Sequence, residues 1–207
     1  MKTSHFIVIL TFCMFTFHTK GQSSAGVKAD VNLSNFWINQ STHLKNSMKT
    51  GGSAGFFYKF TLHNRALETD LMFRYLSSEF KNRATGETAD YRYFGIELPV
   101  YLMLQAEIDS QILYVGMGPF ASFGFSSYYQ SALRRIELYR EDPISGKATM
   151  QRWDYGVGFI FGYELKCRLQ FNFNYHLGFR NMMGGGFENV NMVSQLNSLG
   201  VGYRFGK

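Results

Sequence analysis

The chain has 207 residues, 45% of them hydrophobic and 17% aromatic, with 21 Phe and 13 Tyr. Charged residues fall to 17%, against roughly 25% in an ordinary soluble domain. That length suits one domain, and so much aromatic surface argues against disorder. No apolar run reaches the ~18 residues of a membrane-spanning helix, which excludes a helical bundle. Basic residues number 21 against 15 acidic, too dispersed for a nucleic-acid footprint.

The first element is an address. Lys2 and His5 precede an apolar run, Phe6 to Phe17, and a polar stretch, HTKGQSS, follows. A basic start, about a dozen apolar residues and the small residues Thr19 and Gly21 before a cut describe a secretory signal over 1–21. The run is too short for an anchor, and Phe12 before Cys13 disfavours a lipoprotein signal. Cys13 leaves with the signal, so Cys167 stands alone, expected as a small apolar side chain in a strand. No Cys/His spacing points to a metal, and no cofactor motif is present.

From Gln22 onward the hydrophobic period is two. In the first run Val27, Ala29, Val31 and Leu33 alternate with Lys28, Asp30, Asn32 and Ser34. In the second, Ala54, Phe56, Tyr58, Phe60 and Leu62 oppose Gly55, Phe57, Lys59 and Thr61. Leu67, Leu71, Phe73 and Tyr75 then oppose Glu68, Asp70, Met72 and Arg74, and Phe94, Ile96, Leu98 and Val100 oppose Tyr93, Gly95, Glu97 and Pro99. The fifth run sets Leu113, Val115 and Met117 against Tyr114, Gly116 and Gly118; the sixth sets Tyr155, Phe159 and Phe161 against Asp154, Gly158 and Gly162. The last two place Phe171, Phe173 and Tyr175 opposite Arg168, Gln170, Asn172, Asn174 and His176, and Leu199, Val201, Tyr203 and Phe205 opposite Ser198, Gly200, Gly202 and Arg204.

Eight runs of this kind suit tilted transmembrane strands of ~9–11 residues. Links after runs one, three, five and seven read as long and those after two, four and six as short, the layout of an outer-membrane barrel over residues 22–207. One face is large and aromatic while the other is Gly, Ser, Asn and paired charge. An eight-stranded interior has room only for the second set, so the apolar face is expected against lipid. Closure is required as well, because open edges in hydrocarbon leave backbone groups unpaired. The expectation is an all-β, antiparallel up-and-down barrel with Trp37, Tyr75, Tyr91, Trp153 and Tyr163 in its interfacial girdles.

YFGIELPVYL (Tyr93 to Leu102), LYVGMGPFASFGF (Leu113 to Phe125) and WDYGVGFIFGYEL (Trp153 to Leu165) resemble the outer-membrane β-barrel domain of Bacteroidetes-type bacteria, the PorT-like group. The end, GVGYRF, resembles the C-terminal signal of such barrels, with Gly200, Tyr203 and Phe205 in its positions, although Gly206 and Lys207 follow. The resemblance implies a small outer-membrane barrel delivered by the barrel-assembly machinery. It also implies, as one role, an accessory of a secretion or gliding machine.

The inward charges are the first site candidates. Lys28, Lys59, Arg74, Arg168 and Arg204 are expected to neutralise Asp30, Glu68, Asp70, Glu97, Asp154 and Glu164 as a hydrogen-bonded plug. A narrow transport channel along them is the rival reading, but a selective pore shows an excess of one sign. Catalysis would need a nucleophile beside a base. His43, His63 and His176 lack the His-x-Ser pattern of barrel deacylases, so no enzyme is expected. GMGP at Gly116 and GGG at Gly184 open no helix and lack a Lys-Ser/Thr partner, which leaves close packing and loop flexibility in place of phosphate binding. The third outer loop, with Tyr128, Tyr129, Arg134, Arg135, Tyr139 and Arg140, is expected to offer a surface for an envelope protein partner. Its basic residues also suit lipopolysaccharide phosphates.

Overall fold

The computed structural model describes residues 21–39, 44–82, 88–131, 135–141, 148–183 and 191–206. The expected signal up to Lys20, His43, Arg134 and the GGG run lie outside them. The strands are β1 (Gln22–Asn39), β2 (Leu44–Leu62), β3 (Arg65–Asn82), β4 (Thr88–Ile108), β5 (Gln111–Ser131), β6 (Arg135–Glu137), β7 (Trp153–Glu164), β8 (Leu169–Gly178) and β9 (Asn191–Arg204). Eight of them form an antiparallel ring. β1 pairs with β9, Val31 facing Leu199, and β4 with β5, Leu98 facing Ala121, so no barrel strand keeps an open edge. The short β6 folds back onto the top of β5, with Tyr128 facing Glu137.

The alternation settles which face meets lipid. Leu102 and Leu199 are 64% and 67% exposed, whereas Glu68 and Met103 are 0% exposed. Apolar columns turned outward over buried charges are the reverse of a water-facing fold. The tight turns cluster at one end. Asp109 and Ser110 both take positive φ, 51° and 64°, the backbone of a two-residue primed hairpin turn. His63 and Arg168 close the other two turns, with φ of 55° and 69°.

Two expectations change here. The links after the first and third runs are not long loops. β1 reaches Asn39 and β2 starts at Leu44, while β3 reaches Asn82 and β4 starts at Thr88. Polar residues that read as loop are ladder-paired strand, such as Asn46 to Phe80 and Glu79 to Asp90, because above the bilayer a strand has no need of an apolar face. β2 to β5 therefore rise as a tall wall on the outer side.

The lumen is also less uniformly small than expected. Phe57, Tyr93, Tyr101, Tyr114 and Phe120 all point inward and are buried. Glycines on facing or neighbouring strands make the room: a Cβ on Gly162 would lie 2.3 Å from the Tyr114 ring, and one on Gly26 would lie 2.3 Å from Phe57. Volume in a narrow barrel is balanced across the lumen rather than along each strand. Tyr91, expected in a girdle, is buried inside, whereas Trp37, Tyr75, Trp153 and Tyr163 do face outward.

Candidate functional site

The lumen is filled in layers, described from the turn end upward. A vestibule of about 1000 Å³ opens there, lined by Gln22, Lys59, His63, Gln105, Glu107 and Arg204 among others. Glu164 of β7 closes its roof. It lies 2.5 Å from the Arg204 guanidinium of β9 and accepts a hydrogen bond from Gln170 of β8 at 2.9 Å.

Above it sits a layer of paired charges. Period two on β1 and β3 aims Lys28, Glu68 and Asp70 at one another. Lys28 Nζ donates to Glu68 at 2.5 Å and to Asp70 at 2.9 Å, and Lys59 Nζ lies 3.0 Å from the other Glu68 oxygen. Both ammonium groups also lie over the Phe57 ring, at 5.0 and 5.8 Å from its centroid, and Lys59 lies over Tyr114 at 4.8 Å. Rings can lie over buried cations where water cannot. Asp30, one step higher, accepts from Ser53 at 3.1 Å and from Asn172 at 3.3 Å.

The third layer centres on His176 of β8. Its Nδ1 lies 2.7 Å from Glu97 of β4, its Nε2 lies 2.5 Å from the Tyr101 hydroxyl, and Phe120 stacks on its ring at 5.1 Å. Placing the proton on Nδ1, toward Glu97, leaves Nε2 to accept from Tyr101. Arg74 completes the group, 2.6 Å from Glu97. A cavity of about 50 Å³ adjoins it, with Asp154 and Ser194 also in its wall, room for about three or four waters. Arg74 Nε and Nη1 have no protein partner among the described residues, and such waters would satisfy them.

Over this chamber lies a lid of Phe36, Phe80, Tyr91, Tyr93, Tyr139, Met150, Met182 and Met192. Phe36 meets Tyr91 edge-on at 5.0 Å. Tyr139 arrives from the segment after β6 and is 3% exposed. Burial raises the pKa of its hydroxyl, which lies above the membrane band.

Ten of the eleven expected lumen charges therefore line the interior. Arg168 does not. It sits in the β7–β8 turn with φ 69°, where its carbonyl accepts from the Arg204 amide, because the ladder ends one residue before the alternation would have turned its side chain inward. Cys167 is likewise exposed in that turn and lies outside any strand. Four cations then face six carboxylates, and among the described residues neither Asp30 nor Asp154 has a cation within ion-pair distance. Asp154 is held instead by the Ser194 hydroxyl and the Tyr155 amide.

The expected loop surface is divided. Tyr128 and Tyr129 are consecutive in β5, so they point to opposite faces. Tyr128 stays outside, beneath the Arg135 guanidinium at 4.4 Å. Tyr129 packs against the lid and Tyr139 belongs to it, while Arg140 is exposed. The His176 cluster was missed as a site. Its signal was present, since His176 continues the inward column of Asn172 and Asn174, but nothing in one sequence aligns that column with Glu97 and Tyr101.

Against this geometry, a family model described as an outer membrane protein beta-barrel domain matches residues 18–184. The chain belongs to that family. It is an outer-membrane β-barrel protein, and the outer membrane is its location. No curated protein matches it. Among solved structures, the OprG outer membrane protein of Pseudomonas aeruginosa is similar over 89% of this chain and 96% of its own, at 11% identity and a TM-score of 0.48. Neisserial surface protein A matches over 89% and 99%, at 14% and 0.47. The Ail protein of Yersinia pestis matches over 89% and 99%, at 10% and 0.46.

Proposed function

We propose that this barrel does not conduct, and that it acts as a structural and interaction protein of the outer membrane through its tall outer rim. The observation that carries this reading is closure at two separate heights. The Lys28–Glu68–Lys59 layer fills the lower lumen, and the aromatic and methionine lid fills the upper. A buried ion in such a layer is held by several hydrogen bonds at once and gives a passing ion no empty site. The test is current across planar bilayers holding the refolded protein. None is expected beyond the lipid background, and a steady current would replace this reading with that of a narrow channel.

The same reading makes the protein no enzyme. Glu97, His176 and Tyr101 have the connectivity of acid–base machinery, and the reading that they do no catalysis is supported by their burial, with Tyr101 1% exposed and Phe120 stacked on the imidazole. Lipid and lipopolysaccharide then surround the wall. The barrel-assembly machinery would read the terminal strand, where Tyr203 and Phe205 lie on the lipid side, 5.9 Å apart, and Gly200 packs against Asp30.

A second reading, an accessory role in a PorT-like secretion or gliding machine, is favoured by the Gly–aromatic runs of β4, β5 and β7. It predicts one envelope protein that co-purifies after mild detergent extraction and is lost when Arg135 and Arg140 are replaced.

A further inference from the structure

On the lipid side of β4, β5 and β7, four rings contact one another in a chain. Phe94 lies 5.8 Å from Phe125, Phe125 lies 5.7 Å from Phe123, and Phe123 lies 4.9 Å from Trp153. Phe125 keeps the outward phase of Ala121 and Phe123 and is the extra residue of β5 at a β-bulge opposite Phe94 and Gly95. Such a girdle marks the depth at which acyl chains give way to headgroups. Two residues higher on β4 stands Arg92, exposed and in phase with Phe94 and Leu98. Its cross-strand partner is Tyr128, on which the Arg135 guanidinium rests at 4.4 Å. Two arginines thus bracket one tyrosine about 7 Å up the strand from the girdle, the height of a headgroup phosphate.

The neighbouring charges strengthen the assignment. Glu79 and Asp90 are engaged by Lys49, at 3.0 and 2.6 Å, which leaves them turned toward β2. Glu137 faces Tyr128 from β6 and forms no ion pair with either arginine among the described residues. A guanidinium spread on a ring is fixed in plane, and its planar fork suits phosphate oxygens.

We propose that Arg92 and Arg135, flanking Tyr128 above the Phe94–Phe125–Phe123–Trp153 girdle, form a site for the phosphate of an outer-leaflet glycolipid headgroup. The site rests on the reading that the outer rim is the working surface. Bilayer current tests that reading separately, so either can fail alone.

The test uses the full refolded protein in nanodiscs of phosphatidylcholine doped with lipid A, or with the same lipid dephosphorylated. Glycolipid retained per barrel after detergent extraction is counted by mass. Phosphorylated lipid A should be retained about tenfold over the dephosphorylated form. The double variant R92Q/R135Q should fall to the dephosphorylated level, whereas R92K/R135K keeps part of the difference. An unchanged shift in gel mobility on boiling controls for folding, and the single variant R135Q, on the short outer β6, serves if the double variant fails that control. Equal retention of both lipids, or retention unaltered by the Gln variants, overturns the site. Displacement by inorganic phosphate at millimolar level would make it a free-phosphate site and overturn the lipid assignment.

Discussion

Lys28 of β1 and Glu68 of β3 meet at 2.5 Å across β2, and Glu68 uses its second oxygen to hold Lys59 of β2 at 3.0 Å. One carboxylate therefore serves two buried cations, and three consecutive strands are locked in register by a single side chain. Removing one member of a buried ion cluster leaves uncompensated charge, which costs about 3–5 kcal/mol. Glu68→Gln is expected to lose stability in that range, measured by urea unfolding in lipid vesicles. A loss no larger than that of an exposed strand mutation would show that the cluster is solvated and not a packed plug. The quadruple variant K28M/K59M/E68L/D70L, which also removes the Asp70 carboxylate that Lys28 holds at 2.9 Å, should recover much of the loss, because an apolar layer of similar volume does not need charge pairing.

Glycines in the wall give a sharper contrast. A Cβ on Gly118 would sit 1.8 Å from the Val100 carbonyl oxygen, whereas the nearest atom to one on Gly52 is 3.7 Å away. Backbone cannot rotate aside as a side chain can, so Gly118→Ala forces the β4–β5 pair apart. It should cost about 1–3 kcal/mol or more, read as loss of the boiling-dependent gel shift at lower temperature. Gly52→Ala should leave stability within about 0.5 kcal/mol of the wild type, with that temperature nearly unmoved.

Much of the barrel was legible because lipid and lumen impose opposite demands on alternate residues, so Phe94, Leu98 and Leu102 could be separated from Tyr93, Glu97 and Tyr101 by counting alone. Strand ends were not legible. Ser77 to Asn82 carry no apolar face, yet they continue the β3 ladder, since above the bilayer backbone pairing needs no hydrophobic signal. Arg168 was misplaced for the converse reason: the period continued in sequence where the chain had already turned. The Glu97–His176–Tyr101 group was illegible because it depends on stagger between β4 and β8, strands that are not neighbours in the ring. Tyr139 looked like a loop residue by its company, Arg135 and Arg140, and only the fold carries it over the mouth.

Orientation in the membrane yields its own prediction. Leu98 lies on the lipid side at 48% exposure, amid the apolar column of β4. An arginine near the bilayer midplane of a barrel's lipid face costs about 2–4 kcal/mol, so Leu98→Arg should unfold in vesicles at correspondingly lower urea. The same substitution at Met48, above the band and 47% exposed, should cost about 0–1 kcal/mol. Equal costs at the two positions would mean that the exposed apolar columns do not face hydrocarbon.

The two seals of the lumen can be separated through Tyr139. Its ring is 3% exposed, it packs with Tyr91 and Met150 in the lid, and it receives the Arg152 guanidinium at 5.1 Å. Truncating a buried aromatic leaves a hole that costs about 3–5 kcal/mol, but here the loss falls on the segment that carries it. In Tyr139→Ala the amides of 135–141 should exchange with solvent faster, while the lower β1–β9 seam, Gly26 to Leu33 against Arg204 to Asn197, keeps its protection, since those pairs lie below Phe36 and Met192, where the seam meets the lid. Bilayers holding this variant should still pass no current, because the Arg74–Glu97–His176 group and the Lys28–Glu68–Lys59 layer remain below. A steady current from Tyr139→Ala alone would show that the lid is the only seal and that the charged layers are a hydrated path.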